Sequence, residues 1–335
     1  MKKFLVILLS VLTLLSSAAC VGCKDKNDGP KNLSFYAPDG APALAIAKFI
    51  SDKENFGIDG EISYHVVSSN DIGGVMSQGQ GDFIVMPVNA ASKLYKANAD
   101  LPYVMAAVIT HGNLYIMSDG ETTLDGLKGK VIGVIGQGLV PDLTFQAVLK
   151  NNGLLGDIVV SETAVEGKIA VRYFGAATEM IPLLKTGKLS VGLLPEPAAT
   201  NLTKVAADKT WSRLDLQTLY DEQAKSYPQA VLMVRKSVYE PFKEQIDGMA
   251  EKFSANVTWI KENPASAVDA VNGVLKEGVT ASLVAANINT SVVENCKIYY
   301  QSATDAKEQV KTYISKIIEI NEKSAKAIED DFFAE

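Results

Sequence analysis

Cysteine and histidine are scarce in this chain of 335 residues, which has three cysteines and two histidines. Only one cysteine, Cys296, lies beyond residue 23, so no disulfide can form within the body of the chain and its stability must come from an apolar core. No Cys/His cluster has the spacing of a metal site, and no G-x-S-x-G motif occurs. We therefore expect neither a metal nor a cofactor, and a catalytic site would have to be built from Asp, Glu and Ser alone.

Long apolar runs are also lacking, apart from Phe4–Leu15 near the N-terminus. This run is shorter than the roughly 20 residues that a membrane-spanning helix needs. It follows two lysines and precedes the small residues Ser16–Ala19, a pattern typical of a secretory signal peptide over residues 1–19. The sequence thus predicts an extracytoplasmic protein.

The predicted cleavage point is followed at once by Cys20. This arrangement resembles the bacterial lipoprotein box, in which the new N-terminal cysteine carries diacylglycerol. We expect lipidation at Cys20, which would anchor the protein to the bacterial cell membrane through the lipid alone. Cys23 is a second candidate, and a freely secreted protein cut near Ala19 is a further alternative.

Basic residues are outnumbered by acidic ones. The predicted leader carries two lysines and no acid, so the rest of the chain has 30 basic and 39 acidic residues, a net charge of −9. This balance argues against binding to nucleic acid, which requires basic patches. Residues 20–32 are polar and predict a flexible tether. The roughly 300 residues that follow suffice for two lobes of ordinary size.

The body of the chain repeats a short apolar strand, a polar turn and an amphipathic helix. Strands are predicted at Leu33–Ala37, Glu61–Val67 and Val131–Ile135, among others. This alternation is typical of an α/β fold with parallel strands and helices on both faces of the sheet. After a capping box at Ser237–Glu240, spaced apolar residues predict one long continuous helix that reaches Ile260.

The segment Lys130–Leu149 combines a strand, the glycine turn Gly136–Gly138 and a helix that opens with Pro141 and Asp142. Its glycine spacing does not fit the dinucleotide fingerprint G-x-G-x-x-G. The carboxyl end of a strand next to a helix N-terminus is nevertheless where ligands bind in open α/β sheets. A ligand pocket is therefore predicted here, with a turn that binds nothing as the alternative.

Three stretches resemble a known family. Tyr173–Thr200 contains a helix that ends Leu-Leu-x-x-Gly, then a strand, then the turn Glu196–Pro197, with proline where the family usually has tryptophan. Leu124–Val134 resembles the family's entry into its second lobe, and Tyr36–Lys48 resembles its first turn. The family comprises substrate-binding lipoproteins of ABC importers, in the nitrate, sulfonate, taurine and thiamine-precursor group.

The resemblance implies a two-lobed type II periplasmic-binding-protein fold, in which each lobe is a mainly parallel sheet flanked by helices. Lobe one would comprise residues 33–112 plus 232–335, and lobe two residues 113–231, with crossovers near Gly112–Ser118 and Tyr227–Arg235. It also implies a monomer, not an enzyme, that closes on a small-molecule solute and docks on an ABC permease and its ATPase. The alternatives are an enzyme on the same fold and a surface adhesin or sensor ectodomain.

In such a fold, the carboxyl ends of strands from both lobes line the ligand cleft. Glu196 and Gln137 are the strongest single candidates, whereas Asp39 and Asn89 could equally cap helices and Tyr173 could belong to the core. The predicted ligand-binding residues are Tyr36, Asp39, Gly40, Ala41, Ser68, Ser69, Asn89, Thr110, His111, Gln137, Gly138, Tyr173 and Glu196.

The six predicted cleft turns contain no lysine or arginine but four acidic residues. Anion sites generally use such cations, so this balance disfavours nitrate, taurine and alkylsulfonates. It favours a neutral or cationic ring compound with N–H donors, such as an aminopyrimidine vitamin precursor, with Tyr36 and Tyr173 available for stacking. Arg172 is the exception, because a shift of one residue at its strand end would turn it inward.

Overall fold

The structure, a computed structural model, describes residues 32–97, 100 and 102–335. The predicted signal peptide, both candidate lipidation sites (Cys20 and Cys23) and the tether up to residue 31 lie outside the described residues. The rest folds into two six-stranded sheets flanked by helices.

The first sheet has the strand order β12-β4-β11-β3-β1-β2. Strand β1 pairs in parallel with β2 and β3, whereas β11 runs antiparallel to β3 and β4, and β12 antiparallel to β4. Its strands are β1 Asn32–Pro38, β2 Glu61–Val67, β3 Phe83–Pro87, β4 Tyr103–His111, β11 Pro228–Arg235 and β12 Ile298–Ser302.

The second sheet has the strand order β10-β5-β9-β6-β8-β7. Strand β6 pairs in parallel with β8 and β9, and β7 with β8, whereas β5 runs antiparallel to β9 and β10. Each sheet therefore joins a parallel half to an antiparallel half. Its strands are β5 Leu114–Asp119, β6 Val131–Ile135, β7 Ile158–Val160, β8 Ile169–Phe174, β9 Val191–Pro195 and β10 Trp211–Asp215.

Helices cover the faces of the sheets. In chain order they are α1 Ala41–Leu44, α2 Ala47–Asp52, α3 Ile72–Ser77, α4 Val88–Leu94, α5 Val140–Asn151, α6 Ala177–Lys185, α7 Ala198–Val205, α8 Leu216–Tyr220, α9 Lys236–Tyr239, α10 Lys243–Asp247, α11 Met249–Glu262, α12 Pro264–Gly273, α13 Thr290–Asn295 and α14 Ala303–Ile320.

The predicted long helix after the capping box is wrong, because the segment is divided into α9, α10 and α11. Pro241 separates the first two pieces, since proline has no N–H for the helical ladder and its ring obstructs the preceding turn. The expected capping box is absent too: Arg235 is the N-cap of α9, and no side chain caps it. The apolar positions remain buried, because Phe242, Ile246 and Phe253 pack in the core.

The C-terminal helix α14 contacts both halves of the molecule. It packs on β4 and α4 beside the first sheet and on α5 beside the second. The buried hydroxyls of Thr144 and Tyr313 hydrogen-bond at 2.7 Å across this contact. An apolar cluster that includes Met105 of β4 and Val134 of β6 is continuous between the sheets. The two sheets thus share part of their core, and the lobe boundaries given above stay a prediction.

Within residues 32–97, 100 and 102–335, no helix has both the length and the apolar character required to cross a membrane.

Candidate ligand-binding cleft

A cleft of about 160 Å³ lies where strand ends of the two sheets face one another. The turns after β1, β2 and β3 line it from the first sheet, and the segments after β6, β8 and β9 line it from the second. The carboxyl ends of parallel strands carry these segments, which is where ligands bind in α/β folds. The sequence pattern of strand, turn and helix therefore leads directly to this location.

Proline is concentrated in the cleft wall. Six of the chain's twelve prolines line it, and nine of the twenty other wall residues are alanine, valine, leucine or isoleucine. Because proline has a fixed φ and no N–H, these turns are rigid and offer few backbone donors. The wall is therefore rigid at these turns and rich in proline and aliphatic side chains. The six prolines are Pro38, Pro42, Pro87, Pro141, Pro195 and Pro197.

Asp39 lies in the turn between β1 and α1 and faces the cleft. Its Oδ1 accepts the Gly40 N–H at 2.8 Å, and its Oδ2 accepts the Ser282 N–H at 2.8 Å. Burial raises the pKa of the Asp39 carboxyl, and the hydrogen bonds from Ser282 and Gly40 oppose that rise. Gly40 has φ +102, a conformation that favours glycine. Asp39 thus ties the first turn to the distant segment around Ser282.

Glu196 is fully buried at the end of β9, and its carboxylate is bound by the protein itself. It accepts hydrogen bonds from Arg213 Nη2 at 2.6 Å, from Thr200 Oγ1 at 2.9 Å and from the Thr200 N–H at 3.1 Å. The Arg213 guanidinium also lies over the Tyr115 ring at 3.5 Å. Glu196 therefore braces the start of α7, and a ligand donor would compete with Arg213 and Thr200 for its oxygens.

The glycine turn after β6 is also closed by protein contacts. Asp142 Oδ2 accepts the Gly138 N–H at 2.8 Å, and Asp142 Oδ1 accepts the Tyr173 hydroxyl at 3.0 Å. Asn89 Nδ2 donates to the Gly138 carbonyl at 3.0 Å. Gly136 and Gly138 have φ of +69 and +71, so the tight turn itself accounts for the glycines. This group of side chains links the two sheets without a ligand.

The structure brings six of the predicted site residues together in the cleft wall: Asp39, Gly40, Ala41, Ser68, Ser69 and Glu196. That they bind a ligand remains a prediction.

The other seven predicted site residues lie outside the cleft wall: Tyr36, Asn89, Thr110, His111, Gln137, Gly138 and Tyr173. Tyr36 stacks on His65, with 4.5 Å between ring centroids, in a separate surface pocket. Gln137 is exposed. Arg172 is also outside the wall, where its guanidinium lies 5.0 Å from the centroid of the Phe174 ring.

His111 is fully buried at the end of β4 and stacks on Tyr299, with 3.5 Å between ring centroids. Burial lowers the pKa of His111 to about 4, outweighing the hydrogen bond with Gln301. The imidazole is therefore neutral at pH 7 and supplies no positive charge to the cleft.

Sequence reasoning missed Asn113 and Gln229, which also line the cleft. Asn113 lies between β4 and β5, two residues after His111, in a turn where the sequence predicts only Thr110 and His111 as site residues. Gln229 is the second residue of β11. In the pairing of β11 with β4 it lies between two consecutive residue pairs and has no partner residue of its own, which the sequence does not show.

One hydrogen bond joins the two sides of the molecule one turn along α7 from the cleft-wall residue Ala198, at a position that we call the rim. Asn287 Nδ2 donates to Asn201 Oδ1 at 2.6 Å, joining the short 3-10 turn Ala285–Asn287 beside the first sheet to α7 beside the second. The described conformation therefore has both sides of the molecule in direct polar contact at this rim.

No protein-family model and no curated protein sequence matches the chain. Solved structures do match. An ABC transporter from Parabacteroides distasonis aligns with a TM-score of 0.71 at 19% identity, covering 91% of this chain and 99% of that one. The periplasmic aliphatic sulphonate binding protein SsuA from Escherichia coli aligns with a TM-score of 0.62 at 12% identity, covering 90% and 96%.

The ligand binding component of an ABC-type import system from Staphylococcus aureus, solved with zinc bound, aligns with a TM-score of 0.57 at 12% identity, covering 91% and 97% of the two chains. Among the described residues of the present chain, no group of three or more His, Cys, Asp or Glu residues is placed to hold a metal ion. At these identities the similarity establishes the fold. The chain has the two-lobed α/β architecture of type II periplasmic-binding proteins, as the sequence resemblance implies, but with three antiparallel and two parallel pairings its first sheet is mixed rather than mainly parallel.

Proposed function

We propose that this protein is the extracytoplasmic substrate-binding component of an ABC importer, which captures a small solute and delivers it to a permease. The observation that carries the proposal is the cleft between the strand ends of the two sheets, whose wall combines prolines and aliphatic side chains with nine polar side chains. Such a site suits reversible binding of a small molecule. The fold shared with importer components supports the same conclusion.

The solute we propose is a small neutral or cationic ring compound with N–H donors, of which an aminopyrimidine vitamin precursor is the example. The cleft wall contains two carboxylates, Asp39 and Glu196, and no lysine or arginine. An acceptor-only anion would find no cationic partner in this wall. The expected stacking on Tyr36 and Tyr173 plays no part, because neither lines the cleft; a flat ring would instead lie against proline and aliphatic side chains.

A thermal-shift screen tests the solute class. At 100 times its Kd, a ligand should stabilise the protein by about 2.7 kcal/mol. We expect stabilisation by 4-amino-2-methylpyrimidine and its relatives, and none by nitrate, taurine or alkylsulfonates. Stabilisation by the anions alone would overturn the solute class while leaving the binding function intact. Failure of a broad solute library to stabilise the protein would contradict the binding function itself.

We further propose that the protein is a monomer anchored by a lipid on Cys20, which would keep it beside its permease. The support is the leader, the small residues and the cysteine that follow one another in the sequence. Mass spectrometry of the mature N-terminus from bacterial membranes should find a diacylglyceryl cysteine at position 20. An unmodified start, or one at Cys23, would contradict the assignment.

A further inference from the structure

We infer that Asn113 and Gln229 form the polar floor of the cleft, where their side-chain oxygens accept N–H or O–H donors of the ligand. This inference rests on the proposed binding function and names the residues that read the ligand. Several buried side-chain polar atoms have no partner in the described part of the chain, but of these only Asn113 Oδ1 and Gln229 Oε1 belong to residues that line the cleft.

The orientation of the Asn113 amide is fixed by the protein. The side chain is fully buried, and its Nδ2 donates to the Cys296 carbonyl at 3.3 Å. A carbonyl oxygen only accepts hydrogen bonds, so exchanging the amide nitrogen and oxygen would place two acceptors together. Oδ1 is therefore the atom without a partner. Buried acceptors are almost always satisfied in folded proteins, so an exception on a cleft wall indicates a missing donor.

Gln229 reaches the cleft through an irregularity in the first sheet. In the pairing of β11 with β4, Pro228 lies opposite His111 and Ala230 lies opposite Thr110. Gln229 is thus an extra residue between consecutive pairs, which is the arrangement of a β-bulge. Bulges redirect side chains and are common beside binding sites. Here the extra residue lines the cleft, with Oε1 buried and without a partner.

The residues of the cleft wall indicate which groups could donate hydrogen bonds to these two oxygens. No lysine or arginine lines the cleft, and the carboxylate of Glu196 already binds Arg213 and Thr200. No described side chain donates to either oxygen, so we assign their donors to the occupant. An amino group on a small ring offers two N–H donors, whereas nitrate and sulfonate ions offer none. The floor thus selects ligands by their donors, within a wall that is rich in proline and aliphatic side chains.

The two floor residues lie at or beside the two chain segments that connect one sheet to the other, which we call the crossings. Asn113 lies in the first crossing, between β4 and β5, and Gln229 lies directly after the second, which connects α8 to β11. The two crossings touch each other, because the Gly112 N–H donates to the Tyr227 carbonyl at 2.9 Å. A ligand bound to both amides would contact both crossings.

Paired probes test the floor by isothermal titration. We would compare 4-amino-2-methylpyrimidine with 4-dimethylamino-2-methylpyrimidine, which lacks the N–H donors. The unmodified protein should bind the amino probe at least tenfold more tightly. Gln229→Met and Asn113→Leu should remove most of this preference. The control is Asn272→Ala, which removes another buried amide oxygen without a partner, in α12 outside the cleft wall, and should retain the preference.

A second measurement needs no ligand and covers the case in which Asn113→Leu fails to fold. If Gln229 Oε1 has no protein partner, Gln229→Met relieves a buried unsatisfied acceptor and should raise the Tm of the free protein. A lowered Tm, or an amino-probe preference that persists in Gln229→Met, would overturn the inference. If neither probe binds, the proposal that the solute is a ring compound is wrong. The Tm of Gln229→Met then remains the test of whether Gln229 Oε1 lacks a partner in the free protein.

Discussion

Two polar clusters near the cleft differ in how many of their hydrogen bonds are completed within the protein. The cluster around Asp142, with Gly138, Tyr173 and Asn89, completes most of its hydrogen bonds within the protein. The floor formed by Asn113 and Gln229 leaves two buried oxygens without donors. Both clusters combine polar side chains with strand ends, so residue type alone does not separate them. The difference that matters for a ligand is one of position: Asn89 Oδ1 in the first cluster is also without a partner but lies outside the cleft wall, whereas the two floor oxygens belong to residues that line it.

The largest effect on stability is expected from Asp142→Ala. Asp142 is 2% exposed and accepts hydrogen bonds from Gly138, Tyr173 and Gln146. Removing the carboxylate leaves these donors without their acceptor, which should cost about 3 kcal/mol or more of unfolding free energy. Urea denaturation measures the loss. Asp142→Asn, which keeps one acceptor oxygen, should lose less, and equal losses would mean that the hydrogen bonds are not the cause.

The two histidines should differ in how they make stability depend on pH. His111 takes up a proton near pH 6.5 when unfolded, but only near pH 4 when folded, because burial lowers its pKa. Its contribution is therefore fully present above pH 6.5 and is lost as the pH falls to about 4, by up to about 3 kcal/mol.

Replacing His111 by Phe keeps a ring against Tyr299 and removes this titration, so stability should vary less between pH 6.5 and 4. Denaturation curves across that range provide the measurement. The control is His65→Phe. His65 is only half-buried, and although burial lowers its pKa as well, its replacement should alter the pH dependence less. An unchanged profile for His111→Phe would show that the imidazole does not stay neutral when folded.

Glu196→Gln tests whether the Glu196 carboxylate stabilises the fold, as Asp142 does, or binds the ligand. The substitution removes the charge of the buried Glu196 carboxylate, which pairs with the partly exposed Arg213 guanidinium, so we expect a loss of about 1–3 kcal/mol of unfolding free energy. Affinity for the amino probe should fall less than in Gln229→Met. The matched variant Arg213→Met should destabilise in a similar way. A large loss of affinity with unchanged stability would instead place Glu196 on the ligand.

The smallest effect is expected at the cleft rim. Asn201→Ala removes the hydrogen bond to Asn287, which should cost the described conformation about 0.5–1.5 kcal/mol and, if that conformation is the one that binds, weaken binding roughly two- to tenfold. Small-angle scattering of the free protein should show a larger radius of gyration in this variant. An unchanged radius and unchanged affinity would mean that the rim contact does not hold the cleft closed.

Much of the architecture follows from local sequence pattern. The strands at Glu61–Val67 and Val131–Ile135 have the predicted bounds. Apolar periodicity and turn residues act over a few positions, which explains this success. The long helix after Ser237 failed because periodicity continued through Pro241 although the backbone could not.

The residues of the candidate site were harder to predict from the sequence than the strands and helices. Turns after strands led to Asp39, Ser68, Ser69 and Glu196, and these do lie in the cleft wall. The same reasoning selected Tyr173 and Asn89, whose polar groups instead bind Asp142 and Gly138. A turn at a strand end fixes the backbone position of a residue. The partner that it meets depends on residues far away in the chain.

The sequence by itself determined the α/β units, the scarcity of cations around the cleft and the turns that build its wall, because each depends on neighbouring residues. Tertiary structure alone decided which polar groups are satisfied. Arg213 reaches Glu196 because β10 and β9 both flank β5, and Asn113 meets the Cys296 carbonyl across 183 positions of sequence. The bulge at Gln229 likewise exists only when β11 pairs with β4. Hydrogen-bond satisfaction is a property of contacts in space, so no local pattern encodes it.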